Sequence, residues 1–136
     1  MGNPINKSGK KLENYRESFL VRNNIPFKSG GTTTIDFEIL TEPKIWLECT
    51  NQNGPGSAYE KLPNKVMKYI RKREITDTIY VERGVKVPNK DIMNNLKEIE
   101  EWKKVKIKVL SSKEVDDLLL NTKFVEPLER FLWVNM

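Results

Sequence analysis

Leu12, Tyr15 and Phe19 recur at helical spacing and predict a helix from about Lys10 to Arg22 with those side chains buried. Ser8 stands where an N-cap belongs, which leaves residues 1–9 as a loose arm. Asn23-Asn24 closes the helix, and Ile25-Pro26-Phe27 begins an extended piece. Gly30-Gly31 is a turn signal. From Thr32 to Leu40 the period becomes two: Ile35, Phe37 and Ile39 share one face, Asp36 and Glu38 the other. Thr41-Glu42-Pro43 joins this strand tightly to the next, Lys44 to Thr50, so the two form a hairpin. Ile45, Leu47 and Cys49 face one side of it; Trp46, Glu48 and Thr50 face the other.

Asn51 to Ser57 is a polar, Gly-containing loop. A basic helix follows, from Tyr59 or Leu62 to Arg73, with Pro63 in its first turn and Leu62, Val66, Met67 and Ile70 inward. Thr76 to Glu82 reads as a strand and Arg83-Gly84 as a turn. Pro88-Asn89 opens a helix to about Lys103 with Ile92, Leu96 and Ile99 inward. Val105 to Leu110 alternates as a strand, and Ser111 with Glu114 gives a capping box for a helix to about Leu120. The expected architecture is α/β: one mixed sheet flanked by helices, a parallel step from the strand ending at Thr50 onto the strand at 76–82, and a right-handed crossover.

At 136 residues the chain fits one domain, and its longest apolar runs fall well short of the ~20 residues a membrane span needs. The polar N-terminus lacks the apolar segment of a signal peptide, so an intracellular protein is expected. The single Cys rules out an internal disulfide and a multi-Cys zinc site. No histidine is present, which removes His bases, His-metal nucleases and His triads. Any catalysis must use carboxylates, Lys, Tyr or metal-bound water. Lys and Arg number 24 against 19 Asp and Glu, a net charge of +5 that permits nucleic acid as a partner without requiring it.

Asp36 and Glu48 are carried by consecutive strands and converge if those strands pair. Two close carboxylates repel unless a cation lies between them. Mg²⁺ meets that need, since it takes oxygen ligands and often only one or two carboxylates. It also polarises a phosphodiester and acidifies an attacking water. Taken alone, an Asp and a Glu on the outer face of a hairpin read as solvated surface residues.

The surrounding pattern resembles the PD-(D/E)xK nuclease superfamily, which includes restriction endonucleases and Holliday-junction resolvases. That family carries an acid in its first helix, then an Asp, then (Asp/Glu)-x-Lys on the next strand. The matching positions are Glu13 in Gly9-Lys10-Lys11-Leu12-Glu13, Asp36 in Thr34-Ile35-Asp36-Phe37, and Glu48 in Ile45-Trp46-Leu47-Glu48-Cys49. Glu48-Cys49-Thr50-Asn51-Gln52 then leads through Gly56-Ser57-Ala58 into Tyr59-Glu60-Lys61-Leu62-Pro63, as in members where a Gly-Ser-Ala loop opens a Glu-Lys helix. The likeness covers about residues 9–82. It implies a restriction-endonuclease-like core, αβββαβ, here followed by a C-terminal αβα extension. It also implies a Mg²⁺-dependent endodeoxyribonuclease in which Asp36, Glu48 and the Cys49 carbonyl hold the metal, Mn²⁺ substitutes for Mg²⁺, and Glu13 supports a second metal or a water.

Thr50 stands where the family has its Lys. Three accounts remain open. Another lysine fills the place, Lys61 being the first candidate while Gln52 orients water without bringing charge. Or the chain is a variant with a disabled site. Or it is a catalytically silent DNA-binding or assembly subunit. Lys65, Lys68, Arg71, Lys72 and Arg73 offer phosphate contacts, with Lys7, Lys10 and Lys11 adding an arm; a solvated helix face explains the same cations. Phe124, Leu128, Phe131 and Trp133 suit a core or a homodimer interface, and a phage, viral or mobile-element origin fits the whole.

Overall fold

Pro4 opens the first helix, α1 (Pro4–Arg22), where a proline's missing N–H costs nothing. The computed structural model describes residues 4–30, 35–41, 43–51, 58–75 and 78–122, with side chains from Lys10 onward. Ser8 therefore lies inside α1 instead of capping it, and residues 4–9 are helical instead of a loose arm. The inward stripe also differs from the expected one. Tyr15 is 41% exposed, whereas Arg16 and Leu20 are fully buried beside Phe19. Asn24, at φ 56°, ends the helix: its N–H donates to Val21 O, and the Ile25 N–H reaches back to Leu20 O.

The remaining elements follow in the expected order: β1 (Phe27–Ser29), β2 (Phe37–Ile39), β3 (Ile45–Thr50), α2 (Leu62–Arg73), β4 (Thr78–Arg83), α3 (Lys90–Lys103), β5 (Lys106–Leu110) and α4 (Ser112–Asn121). They build one five-stranded mixed sheet in the order β1-β2-β3-β4-β5. The β1–β2 and β2–β3 pairs are antiparallel, and the β3–β4 and β4–β5 pairs are parallel. The antiparallel pairing of β2 with β3 and the parallel step across α2 are thus both present. Asn89 caps α3 through the Ile92 N–H, and Ser111 with Glu114 forms the capping box of α4.

The two faces of the sheet bury separate cores. Phe19, Leu20, Phe37, Ile39, Ile45, Leu47, Cys49, Val115 and Leu119 join α1 and α4 to one face. Leu62, Val66, Tyr69, Ile70, Ile79, Val81, Ile92, Leu96, Ile99 and Ile107 join α2 and α3 to the other. Ile35 belongs to this second core, not to the face of Phe37 and Ile39. The reason is a bend at Asp36: β2 starts only at Phe37, so period two does not extend back to Ile35. Met67 is only half-buried, and Tyr69 takes the inward place expected of it. Among the described residues no helix is long and apolar enough to cross a membrane. The expected strand start at 32–34, Gln52 with the Gly-Ser part of the loop, Thr76, and the C-terminal apolar stretch lie outside the described residues.

Two further helices end, as α1 does at Asn24, on non-glycine residues in the left-handed region, α2 at Glu74 (φ 50°) and α3 at Lys104 (φ 56°). A side chain there costs on the order of 1 kcal/mol, which Gly avoids. Lys104→Gly is accordingly expected to raise the unfolding free energy by about 0.5 kcal/mol after allowing for the more flexible unfolded chain. A urea titration that shows a lower midpoint would contradict this.

Candidate functional site

The bend that shortens β2 also builds the site. Leaving the strand at Asp36 frees its carboxylate to act as a ladder partner. The Cys49 N–H donates to Asp36 Oδ2 at 2.9 Å, and the Asp36 N–H donates to Glu48 Oε1 at 3.3 Å. Each carboxylate thus accepts a bond from the backbone of the other segment, and the two carboxylates come within hydrogen-bonding reach of each other. In a strand the N–H and C=O of one residue point to the same edge. The Cys49 carbonyl therefore faces the edge where Asp36 lies.

Glu48 is 2% exposed, so it is not a solvated surface acid. Burial raises its pKa well above the ordinary value, and the bond to Asp36 and the Asp36 charge push it further up. The Tyr69 hydroxyl and the Lys65 charge oppose this. Tyr69 donates its hydroxyl to Glu48 Oε2 at 2.8 Å. Its phenol is pushed far up by burial first and by the Glu48 charge and hydrogen bond next. Glu13, half-buried on α1, has its pKa raised by burial and then by Asp36, with Lys10 pulling the other way. Glu13, Asp36, Glu48 and Tyr69 thus share one electrostatic neighbourhood.

Thr50 is buried at 4% exposure on the same face as Glu48, and its Oγ1 has no hydrogen-bond partner among the described residues. A buried unpaired hydroxyl is costly. Lys61 is exposed at the start of α2, and Lys65 stands one turn further in. The Asn51 side chain meets Gly84, just past β4, where a Cβ would lie 1.7 Å from Asn51 Oδ1, so only Gly permits that approach.

Further along the same face Glu38 is also buried. Its carboxylate meets Lys44 at 2.7 Å and Arg73 at 3.4 Å. Burial alone would raise its pKa; the Lys44 hydrogen bond and the nearby positive charges outweigh this and hold it below its ordinary value. Lys44 and Arg73 also lie over the Trp46 ring, at 5.5 and 5.8 Å. Arg73 is therefore engaged with the sheet. Arg71, Lys72 and Arg73 all stand in the last turn of α2, where cations complement the helix dipole. Lys61, Lys65, Lys68 and Lys72 follow an i, i+4, i+7, i+11 spacing, so they form one exposed stripe on α2 beside the Tyr69 flank.

On the opposite face Cys49 and Glu82 are register partners, and the Cys49 thiol lies 3.7 Å from Glu82 Oε1. Burial, then the charge of Glu82, raises the pKa of the thiol well above its ordinary value. It is an un-ionised core group, as its position in the sequence implies, and only its carbonyl is available to a hard cation.

Among the described residues no three Asp, Glu or Cys side chains close into a metal cage. What the site offers is two juxtaposed carboxylates, a backbone carbonyl on the same edge and an unpaired hydroxyl. This all-oxygen donor set fits Mg²⁺, which keeps several waters and takes one or two carboxylates from the protein. Sequence reasoning brought Asp36, Glu48 and Glu13 together but missed Tyr69. The positions 62, 66, 69 and 70 are a helical stripe that contains it, and Met67 drew attention away. Fold and site define an α/β protein with a mixed sheet and a carboxylate pair, a buried Glu48 on the third strand and a half-buried Asp36 just before the second. No family model matches the chain, and neither curated proteins nor solved structures give a match.

Proposed function

We propose that the chain is a Mg²⁺-dependent endodeoxyribonuclease with a restriction-endonuclease-like core of the PD-(D/E)xK type. The observation that carries this reading is the pairing of Asp36 with Glu48. Two carboxylates held together, one half-buried and the other buried with a strongly raised pKa, are unfavourable for a protein that has no cation to place there. Asp36, Glu48 and the Cys49 carbonyl would hold the metal. Once bound, Mg²⁺ supplies Lewis-acid polarisation of the phosphodiester and a more acidic water.

The chain's own groups set the geometry. Tyr69 fixes Glu48 through Oε2, which leaves Oε1 on the Asp36 side. Asp36 is fixed through Oδ2 by the Cys49 amide. Both acids are therefore oriented before any ligand arrives, which limits the reorganisation needed during reaction. The lysine stripe on α2 spans about 16 Å, near five nucleotide steps of one B-form strand. It would position a phosphate backbone against the acids without reading sequence. Arg71 lies off that stripe and contributes less.

Cleavage of plasmid, linear and four-way-junction DNA with Mg²⁺ and Mn²⁺ tests the reading. Cutting is expected with either ion, and Asp36→Ala should lower it at least about 10³-fold with the fold unchanged by circular dichroism. Calorimetry should show a Mn²⁺ site that Asp36→Ala removes. Salt-sensitive DNA binding with no metal site would instead identify a silent DNA-binding subunit.

A further inference from the structure

α2 is the crossover between two parallel strands, so it runs back antiparallel to β3, and its contacts with β3 keep a fixed step. Trp46 meets Arg73. Glu48 meets Tyr69. Two residues up the strand correspond to four residues down the helix, since both advance about 6 Å. The next rung of this ladder pairs Thr50 with Lys65. Lys61 would be level with a residue beyond the end of β3, one turn too far.

We infer that Lys65 is the cation of the Asp36–Glu48 site, delivered from α2 to the place that a lysine at position 50 would occupy from β3. The inference rests on the nuclease reading and names the residue that completes it. Lys65 is adjacent on the helix surface to Tyr69, whose hydroxyl is on Glu48, and its positive charge acts on Glu48. Position 50 itself holds a small buried residue whose hydroxyl has no partner among the described residues, which leaves the ammonium group to come from α2.

Its task is electrostatic. Water oxygen bonds to phosphorus, one P–O ester bond breaks, the departing alkoxide takes up a proton, and the attacking water gives one up. No redox change occurs. The Lys65 ammonium donates to the attacking water or to a non-bridging oxygen and offsets the charge that builds on the phosphorane. A Thr at position 50 cannot do this; a Lys at position 65 can.

Two measurements on the full chain test this. Lys65→Ala should lower kcat by about 10²–10³-fold, the size expected for loss of one such donor. Adding Thr50→Lys to Lys65→Ala should restore most of the rate, because the charge returns from β3. The second measurement needs no turnover. A cation beside the carboxylates repels a metal ion, so Lys65→Ala should tighten Mn²⁺ binding about 3- to 10-fold by calorimetry, whereas loss of a merely structural residue would weaken it. Unchanged or weaker Mn²⁺ binding in Lys65→Ala, or a rate within about 3-fold of the parent, overturns the inference and leaves the nuclease reading standing. A parent chain that binds no Mn²⁺ overturns both.

Discussion

Glu48→Gln is expected to abolish metal binding and DNA cleavage while making the metal-free protein more stable at neutral pH. The substitution keeps the shape of the side chain and an oxygen to accept from Tyr69 or from the Asp36 amide. It removes the negative charge that burial and Asp36 oppose. Relief of that opposition is expected to be worth about 1–2 kcal/mol, the common range when a site residue held for function is replaced. The sign of the pH dependence follows from the direction of the shift. Glu48 holds its proton more firmly folded than unfolded, so the folded state binds more protons across the window between the two pKa values. Stability of the metal-free parent therefore falls as pH rises above the ordinary glutamate value of about 4.3 and towards the raised folded value. Metal reverses this, because a bound cation requires both carboxylates ionised. At about 100 times its dissociation constant Mn²⁺ should add about 2.7 kcal/mol. Urea unfolding between pH 5 and 8, with Mn²⁺ or with chelator, measures all three effects. An unaltered pH slope in Glu48→Gln would show that Glu48 is not the group under electrostatic load.

Most of the frame could be read from the sequence because its signals are local. The capping box at Ser111–Glu114 and Asn89 before α3 each use a backbone group a few residues away, and Pro63 in the first turn of α2 stands where no N–H is needed. The order of elements follows from them and from clean alternation in β3, β4 and β5. The site was half legible for the opposite reason. Glu48 sits in a regular strand, so its face followed from period two. Asp36 does not: Ile35, Phe37 and Ile39 alternate as a strand would, yet the chain bends at Asp36 because a tertiary bond from the Cys49 amide replaces a ladder bond. Lys65 could not be singled out among the lysines of α2 until the step between α2 and β3 was known. Lys61 is nearer to the acids in sequence, but sequence distance is not helix register. Arg16 was passed over because an arginine in an amphipathic helix ordinarily faces water, and its partners lie 66 and 100 residues away on β4 and α4.

Arg16→Ala is expected to lower the unfolding free energy by about 3–5 kcal/mol, the usual cost of stranding one member of a buried ion pair. That would be a large share of the ~5–15 kcal/mol that holds a domain together. The guanidinium and Glu82 are both 0% exposed. Arg16 grips Glu82 in a fork, with Nε to Oε1 at 2.6 Å and Nη2 to Oε2 at 2.9 Å. Nη1 meets Asp116 Oδ1 at 2.8 Å, and Nη2 donates to the Ser112 carbonyl at 3.2 Å. Its plane also lies 4.8 Å from the Phe19 ring and 5.2 Å from that of Tyr15. One side chain thus ties α1 to β4 and to the first turn of α4. Removal leaves Glu82 buried without its cation, next to the Cys49 thiol and one residue from the Glu48 backbone. Lysine is no substitute, since a point charge cannot make the fork. The double change Arg16→Met with Glu82→Leu removes both charges, and it should recover most of the lost stability, because Asp116 is 24% exposed and keeps the Tyr15 hydroxyl at 2.8 Å. Urea denaturation of the single and double variants separates the terms. A loss below about 1 kcal/mol in Arg16→Ala would mean that water reaches Glu82, and that the buried fork does not anchor the strand beside the site.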